Sequence, residues 1–274
     1  MCHNSYGGNS VSHFFEWCYE IHMNTQFWEK LAVHAKEGPR LALVSIISSK
    51  GSTPQTSGNK MMVFPSGDIH GTIGGGALEF QVTKLAVECI QKNKNMRKKL
   101  NLTYDLGMCC GGIVEVFIEI ITPQNQLVIY GAGHVGMALA TLAQRLDYHV
   151  HLVESRIDFT TPPPGITYRE EHPLQILNQL PFGEHCDHFI TTHEHKLDQD
   201  ILQALRDKKI RYLGMIGSKT KKEKFRFRFR AAEWGEDIFT KLHTPAGLNI
   251  SAQTPMEIAV SIAAELIQYR HNHP

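Results

Sequence analysis

The feature that most constrains the fold is a glycine-rich turn near the middle of the chain. Gly131-Ala132-Gly133-His134-Val135-Gly136 follows the apolar run Leu127–Tyr130, as a strand followed by a helix would. In this pattern the first glycine allows the tight turn, the second lets the backbone approach a pyrophosphate, and the third lets the helix pack on the strand. The pattern also requires an acid about 20 residues on, and Glu154 ends the next apolar segment. We therefore predict a Rossmann-like fold with four cofactor-binding residues here, Gly131, Gly133, Gly136 and Glu154.

The rest of the chain predicts two α/β domains. After the glycine turn, strand and helix patterns alternate, which predicts parallel βαβ units and a doubly wound parallel sheet. Before it, short strands and one helix predict a smaller N-terminal α+β domain, with a basic stretch from Lys92 to Lys99 as a solvated linker. We place the N-terminal domain at residues 23–122 and the Rossmann-like domain at 123–274. Residues 1–22 show little periodicity and are expected to be a disordered extension or the product of an upstream start.

Composition excludes several classes of protein. Hydrophobic residues at 42% and charged residues at 20% are typical of a globular protein. The net charge of +1 gives no global reason to expect nucleic acid or an anionic membrane as partner. The chain has no apolar run near the roughly 18 residues that span a bilayer and no signal-peptide pattern, so we expect a cytoplasmic protein.

A second glycine cluster precedes a helix in the N-terminal half. Gly74, Gly75 and Gly76 stand before a helix predicted from Ala77 to about Asn93. Free backbone N–H groups and the positive end of the helix dipole would meet there, which predicts an anion site. The alternative is a turn whose glycines serve close packing only.

Two adjacent cysteines, Cys109 and Cys110, lie between Gly107 and Gly111. Neighbouring cysteines rarely form an unstrained disulfide, so reduced thiols are expected. Exposed backbone amides around them would favour the thiolate, a ligand for soft metals such as copper(I) and zinc and, by extension, molybdenum. The alternative is two small buried apolar side chains.

Two further groups fall where strands are predicted to end. His193 and His195 follow a strand, at the carboxyl edge where open α/β sheets bind ligands, and could hold a cation or position a phosphate. The alternative is a pair of loop histidines, with Asp198 capping the next helix. Ser218 and Lys219 lie in another strand-to-helix turn and are predicted to bind an anion. Their spacing is not that of a phosphate loop, which excludes a nucleoside-triphosphatase.

The segment 219–230 interleaves basic and aromatic residues. Such a pattern can indicate a nucleic-acid-binding module. Phe225 and Phe229 are also one helical turn apart, which is typical of a solvated helix with one buried face. The near-neutral net charge favours the helix.

Together these motifs resemble the XdhC/CoxI family. The resemblance covers residues from about 25 to the C-terminus, in matching order. The N-terminal motifs are Gly51-Ser52-Thr53-Pro54, Gly71-Thr72-Ile73-Gly74-Gly75-Gly76-Ala77-Leu78-Glu79 and Cys109-Cys110-Gly111-Gly112. The Rossmann motifs are Gly131 to Gly136, Thr192-His193-Glu194-His195, Gly217-Ser218-Lys219-Thr220 and Thr254-Pro255-Met256-Glu257-Ile258-Ala259.

The resemblance implies a xanthine dehydrogenase accessory protein, a maturation chaperone more than an enzyme. Such a protein binds the molybdenum cofactor, supports its sulfuration by a cysteine desulfurase, and hands it to the apo-xanthine dehydrogenase or a related molybdenum hydroxylase. We expect the glycine turns and Lys219 to hold the phosphate of the molybdopterin, and Cys109 or Cys110 to approach the metal. A homodimer is expected by resemblance alone.

The alternative function is an NAD(P)-dependent oxidoreductase acting on a small molecule. In that case His193 or His195 would be the acid–base group. Arg156 follows Glu154 closely, which makes the dinucleotide NAD or NADP.

Overall fold

A computed structural model describes residues 25–36, 38–51, 57–107, 111–156 and 164–272. These residues divide into two units, of which the first ends at Pro123 and the second begins at Gln124. None of the helices in these ranges is long and apolar enough to cross a bilayer.

The first unit is built on a five-stranded antiparallel sheet in the order β3-β2-β1-β5-β4. Its strands are β1 (Leu41–Lys50), β2 (Lys60–Val63), β3 (Ile69–Gly71), β4 (Met96–Asn101) and β5 (Ile113–Ile121). Its helices are α1, which covers residues 25–36, and α2 (Gly76–Lys92).

The side chains of β1 alternate between the two faces of this sheet, and a helix covers each face. Ala42, Val44 and Ile46 point to one face, where they belong to the same core as α2. Leu41 and Leu43 point to the other, where they join the apolar residues of α1. Because successive side chains of a strand point to opposite faces, a continuous apolar run such as that of β1 serves two cores.

The second half of the basic stretch predicted to be a linker belongs to a strand, so that prediction was wrong there. Within it, β4 pairs antiparallel with β5 along its whole length. Arg97, Lys98 and Lys99 are exposed, whereas Leu100 is buried. An edge strand tolerates many charges because one of its sides has no neighbour. Met96 is half-buried against the same core as Leu100, but the exposed Lys98 between them leaves too weak an alternation to reveal the strand.

The second unit is built on a six-stranded parallel sheet in the order β11-β10-β9-β6-β7-β8. Its strands are β6 (Asn125–Tyr130), β7 (Tyr148–Val153), β8 (Ile166–Arg169), β9 (Gly183–Ile190), β10 (Ile210–Met215) and β11 (Leu242–His243). Its helices are α3 (His134–Gln144), α4 (Pro173–Ile176, continued by a 3-10 turn at Leu177–Gln179), α5 (His195–Ala204), α6 (Lys219–Ala231), α7 (Ile238–Lys241) and α8 (Pro255–Asn272).

This strand order is that of the Rossmann fold, which confirms the predicted fold class. From β6 the chain builds outward through β7 and β8, then returns to the other side of β6 and continues through β9, β10 and β11. The direction of building reverses between β6 and β9. A reversal of this kind leaves a crevice beyond the carboxyl ends of the two strands, which is where open α/β sheets bind ligands.

Helices cover both faces of the parallel sheet. Leu127 and Ile129 of β6 belong to the core that includes α3 and α8. Val128 and Tyr130 belong to the opposite core, with α5 and α6. Phe225 and Phe229 are buried in that second core, whereas Phe227 between them is exposed. Their burial confirms the prediction of a helix with one buried face for this segment.

Two groups of buried polar side chains lie within the parallel sheet. At the start of the strands, the Arg211 guanidinium donates to the Asp187 carboxylate at 2.6 Å, and the Tyr148 hydroxyl donates to the same carboxylate at 2.7 Å. On the face toward α5 and α6, fully buried His188 shares a hydrogen bond with the Tyr130 hydroxyl at 2.9 Å. Burial lowers the pKa of His188 to about 3.

Candidate functional site

The carboxyl edge of the parallel sheet brings several of the predicted residues together. The glycine turn follows β6, Glu154 follows β7, the histidine loop follows β9, and Ser218 and Lys219 follow β10. Backbone hydrogen bonds hold the glycine turn against the end of β7 and the start of the histidine loop against the end of β6. The Gly131 N–H donates to the Val153 carbonyl, and the Thr191 N–H donates to the Tyr130 carbonyl, both at 2.9 Å.

Two glycines of the turn are required by the fold itself. Gly131 has a φ of 111°, and a Cβ atom there would collide with the Thr191 carbonyl oxygen. A Cβ atom at Gly136, on α3, would collide with the Gly131 carbonyl oxygen. The first glycine therefore makes the turn beside β9, and the last lets α3 start close against it, as the sequence predicted.

Gly133 is different, because nothing in the described part of the protein requires a glycine there. Its φ of −68° and ψ of −179° are open to any residue, and a Cβ atom would meet no atom within 4 Å. Gly133 is the N-cap residue of α3, so the first-turn amides receive no hydrogen bond from a cap side chain. The glycine thus keeps a space free next to unpaired N–H groups and the positive end of a helix dipole.

Glu154 lies beside this turn, but its carboxylate is already engaged. It accepts hydrogen bonds from the Arg156 N–H at 3.0 Å and the Arg156 guanidinium at 3.2 Å. The Ala132 N–H of the glycine turn is a further, longer donor at 3.4 Å. Only 5% of Glu154 is exposed, against 46% of the Arg156 side chain. A ribose that approached this acid would therefore have to compete with Arg156.

Asp198 and Lys221 connect two of the edge loops. The Lys221 ammonium donates to the Asp198 carboxylate at 2.6 Å and to the Ile216 carbonyl at 3.0 Å. The other Asp198 oxygen accepts from the Thr192 hydroxyl at 2.7 Å and from the Thr192 N–H at 3.2 Å. Asp198 is almost fully buried. The pair ties the loop after β9 to the turn after β10.

Sequence reasoning had no role for Lys221 and did not predict a lysine partner for Asp198. The available signal was the spacing between Gly217 and Lys221. A Cβ atom at Gly217 would lie 2.6 Å from the Lys221 Cδ atom. The absence of a side chain at Gly217 therefore leaves room for the Lys221 side chain to pack against this turn.

The remaining predicted residues of this edge are exposed. His193 and His195 stand on either side of Glu194, the N-cap residue of α5, and 79% of the His195 side chain is exposed. The Ser218 hydroxyl oxygen accepts from the Lys221 N–H at 3.2 Å, so this side chain caps its own helix. Lys219 begins α6 with an exposed side chain.

The second predicted anion site, at Gly74 to Gly76, is filled by the chain itself. All three glycines have positive φ, of 124°, 73° and 59°. The loop they form wraps around the Glu79 carboxylate. One Glu79 oxygen accepts from the Gly75 N–H at 2.9 Å, the Ile73 N–H at 3.0 Å and the Thr72 hydroxyl at 2.5 Å.

In the structure the anion at this helix terminus is the Glu79 carboxylate, and binding of an external phosphate at Gly74 to Gly76 stays a prediction. Burial tends to raise the pKa of Glu79, but the hydrogen bonds from Thr72 and the loop amides outweigh it and hold the pKa below its usual value. The signal was present in the sequence, because an acid in the first turn of a helix can bond back to the amides before it. The glycines serve the loop conformation.

The predicted metal ligands Cys109 and Cys110 lie outside the described residues. Within the described ranges, no group of three or more histidine, cysteine and carboxylate side chains could hold a metal ion. The assignment of the two thiols stays a prediction.

Comparison with known protein families gives one match in each of the two units. Residues 127–266 match the XdhC Rossmann domain, and residues 34–105 match the XdhC and CoxI family. The chain is 32% identical over 244 residues to YqeB, an uncharacterized protein of Escherichia coli K12, covering 85% of this chain and 44% of YqeB. It is 31% identical over 159 residues to a probable xanthine dehydrogenase subunit of Bacillus subtilis 168, covering 57% of this chain and 46% of that protein.

The chain thus spans less than half the length of both curated relatives. Among solved structures, a xanthine dehydrogenase from Bacillus halodurans aligns with a TM-score of 0.50 and 21% identity, covering 91% of this chain and 96% of that one. At this identity the likeness concerns the fold. The match to the XdhC Rossmann domain extends over just over half of the 274 residues, with the N-terminal family match preceding it in order. The chain belongs to the XdhC and CoxI family.

Proposed function

We propose that this protein is an accessory protein for a xanthine dehydrogenase-type molybdenum hydroxylase and that it binds the phosphate of the molybdenum cofactor at the glycine turn before α3. The name of the Bacillus subtilis relative, a probable xanthine dehydrogenase subunit, supports the association with that class of enzyme. The proposal includes support for sulfuration of the cofactor, with a cysteine desulfurase as partner, and delivery of the cofactor to the apo-hydroxylase.

One observation carries the choice of the phosphate site, and it is the free space at Gly133. The α2 terminus already holds a carboxylate, and the α6 terminus is capped by Ser218. The α3 terminus has neither, and its glycine is not required by backbone conformation or by packing. Amides at a helix N-terminus that receive no hydrogen bond from a cap side chain are suited to a phosphate group.

The thiols are a separate part of the proposal and depend on the sequence. Cys109 and Cys110 are proposed to approach the molybdenum, because thiolates are preferred ligands of soft metals. Replacing both with serine should greatly reduce the molybdenum that copurifies with the protein. If the double variant retains as much molybdenum as the wild type, the thiols do not bind the metal.

A substitution at Gly133 tests the phosphate site without confounding binding with folding. Aspartate is among the best N-cap residues, and the extended conformation of Gly133 suits a cap, so Gly133→Asp should leave the stability equal or slightly higher. Its carboxylate would occupy the free space and repel a phosphate. Protein expressed in cells that make the cofactor should then retain little molybdenum and pterin.

The matched variant is Gly133→Asn, which caps the helix with nearly the same shape and no charge. We expect its pterin content to lie between that of the wild type and that of Gly133→Asp. Thr141→Ala, exposed on the same helix, should have no effect. Pterin retention by Gly133→Asp at the wild-type level, with the fold intact by circular dichroism, would refute phosphate binding at this turn.

The NAD(P)-dependent oxidoreductase is a second candidate, supported by the strand order and by Glu154. Its ribose contact would have to displace Arg156 from the acid, as described above. Titration with NAD and NADP, and a search for turnover with a small-molecule substrate, separates the candidates. Turnover that His193→Ala or His195→Ala abolishes would favour the oxidoreductase.

A further inference from the structure

Helix α6 carries a large excess of positive charge. Its sequence, KTKKEKFRFRFRA, contains seven cations and one carboxylate. Several of the cations have partners. Lys221 pairs with Asp198, while Arg226 and Arg230 lie against the Glu236 carboxylate.

Four cations of the same helix have no acidic partner within the described ranges, and one of them, Lys222, donates to the neutral Leu242 carbonyl at 2.8 Å. Lys219 and Lys224 are exposed and have no acidic partner within the described ranges. Arg228 contacts only the neutral Gln199 side-chain oxygen, at 3.0 Å, among the residues that the structure describes. Because the protein as a whole has a net charge of only +1, this helix is a local positive region and not part of a uniformly basic surface.

Phe227 lies at the middle of the exposed face of α6. The helix turns by about 100° per residue, so Phe225 and Phe229 point into the core and Phe227 points almost directly away from it. Phe225 is 2% exposed and Phe229 is 0% exposed, whereas Phe227 is 71% exposed. Lys224, one turn earlier on the same side, is exposed as well. The core of the Rossmann unit therefore uses two of the three phenylalanines and leaves the third to solvent.

The position of α6 connects this face to the candidate site. The helix begins at Lys219, directly after the Ser218 turn at the carboxyl edge of the sheet. Its 13 residues extend about 20 Å away from that edge, at 1.5 Å per residue. A partner lying along this face would have one end at the rim of the edge where the glycine turn lies.

We propose that the exposed face of α6, centred on Phe227 and flanked by Lys224 and Arg228, docks an acidic protein surface that contains an apolar pocket. Buried aromatic side chains carry much of the energy of protein interfaces, and the surrounding charges set the rate and orientation of association. The occupant is the apo-hydroxylase that receives the cofactor. This identification rests on the proposed function, since delivery requires the acceptor to reach the site without release of the cofactor into water.

The test measures binding of the purified full-length protein to the apo-hydroxylase, prepared in cells that lack the cofactor. Phe227→Ala should raise the dissociation constant at least tenfold. Lys224→Glu should slow association and reduce the salt dependence of its rate, measured from about 50 to about 200 mM salt, because added ions screen exposed charges. The matched control is Phe80→Ala, since Phe80 is 63% exposed on α2 of the other unit and also lies beside a lysine, Lys84.

Each outcome decides the proposal. Loss of affinity in the two α6 variants, with Phe80→Ala unchanged, supports it. Equal affinity for all variants, an equal loss with Phe80→Ala, or no binding by the wild type overturns it. If the α6 variants instead lose binding to a single-stranded RNA oligomer at near-physiological salt, or lose self-association, α6 serves a different partner and the proposal also falls.

Molybdenum and pterin analysis of the same preparations tests the proposed function independently. Cofactor retained by Phe227→Ala at the wild-type level, together with unchanged hydroxylase affinity, would leave the proposed function standing and remove the docking face. Absence of cofactor from the wild type would remove the proposed function, whatever the hydroxylase titration shows.

Discussion

Replacing His188 with glutamine should change the pH dependence of stability in a predictable direction. His188 is fully buried in β9, where its ring stacks on Phe182 at 4.9 Å between centroids and bonds to the Tyr130 hydroxyl and the Pro181 carbonyl. Burial is the main reason that its pKa falls from 6.5 to about 3. The folded protein therefore keeps this ring neutral at pH values where an unfolded chain protonates it.

The sign and the size of the effect follow from that shift. Between pH 6.5 and pH 3 the unfolded state binds one more proton at this position than the folded state, so stability falls as the pH decreases. From about pH 7 to about pH 4.5 the loss assigned to His188 is about 2.5 kcal/mol, at roughly 1.36 kcal/mol per pH unit below the unfolded pKa. Glutamine cannot take up that proton. The variant should be less stable than the wild type at neutral pH, and the difference should shrink or reverse at the acidic end.

Hydrogen exchange of the amides in β6 and β9 is the suitable assay, because it reports on the Rossmann unit separately from the N-terminal unit. The opening free energies of wild type and variant are compared at the same two pH values, and the carboxylates common to both cancel in the difference. His271→Gln, an exposed substitution at the end of α8, is the matched control and should follow the wild type. The reasoning is refuted if the wild type and His188→Gln lose the same free energy between the two pH values.

Three further substitutions test the other buried contacts. Arg211→Met leaves the buried Asp187 carboxylate without its guanidinium and should lower the free energy of unfolding by about 3–5 kcal/mol in urea titrations; adding Asp187→Asn should restore part of it. Gly136→Ala places a methyl group against the Gly131 carbonyl and should lower the melting temperature, despite the better helix propensity of alanine. Glu79→Ala frees the amides before α2 and should speed their exchange, with a loss of about 1–3 kcal/mol in local stability.

The fold of the second half could be predicted because the decisive signals are local. A strand that ends in Gly-x-Gly-x-x-Gly has few other structures available, since Gly131 needs a positive φ and Gly136 needs close packing. The alternation of strands and helices then limits the topology to parallel crossovers. The same reasoning placed Phe225 and Phe229 on one buried helix face.

The misreadings have a common physical origin in tertiary partners that the sequence does not reveal. The basic stretch that contains β4 is a strand only because β5 offers it a pairing edge. The glycines at 74–76 predict a phosphate site, but the sequence does not reveal that the Glu79 carboxylate accepts hydrogen bonds from their loop. Lys221 was missed because its partner, Asp198, comes from a different helix.

The charges of β4 restrict how two copies of this protein can associate. A second copy that added its own β4 antiparallel to this edge would bring two rows containing Arg97, Lys98 and Lys99 to the short distances of paired strands, about 5 Å. Such like-charge pairs are destabilising, so a continuous sheet across two copies through this edge is disfavoured. Any homodimer should therefore form through a surface other than this edge. Neutralising the three cations should increase self-association through β4.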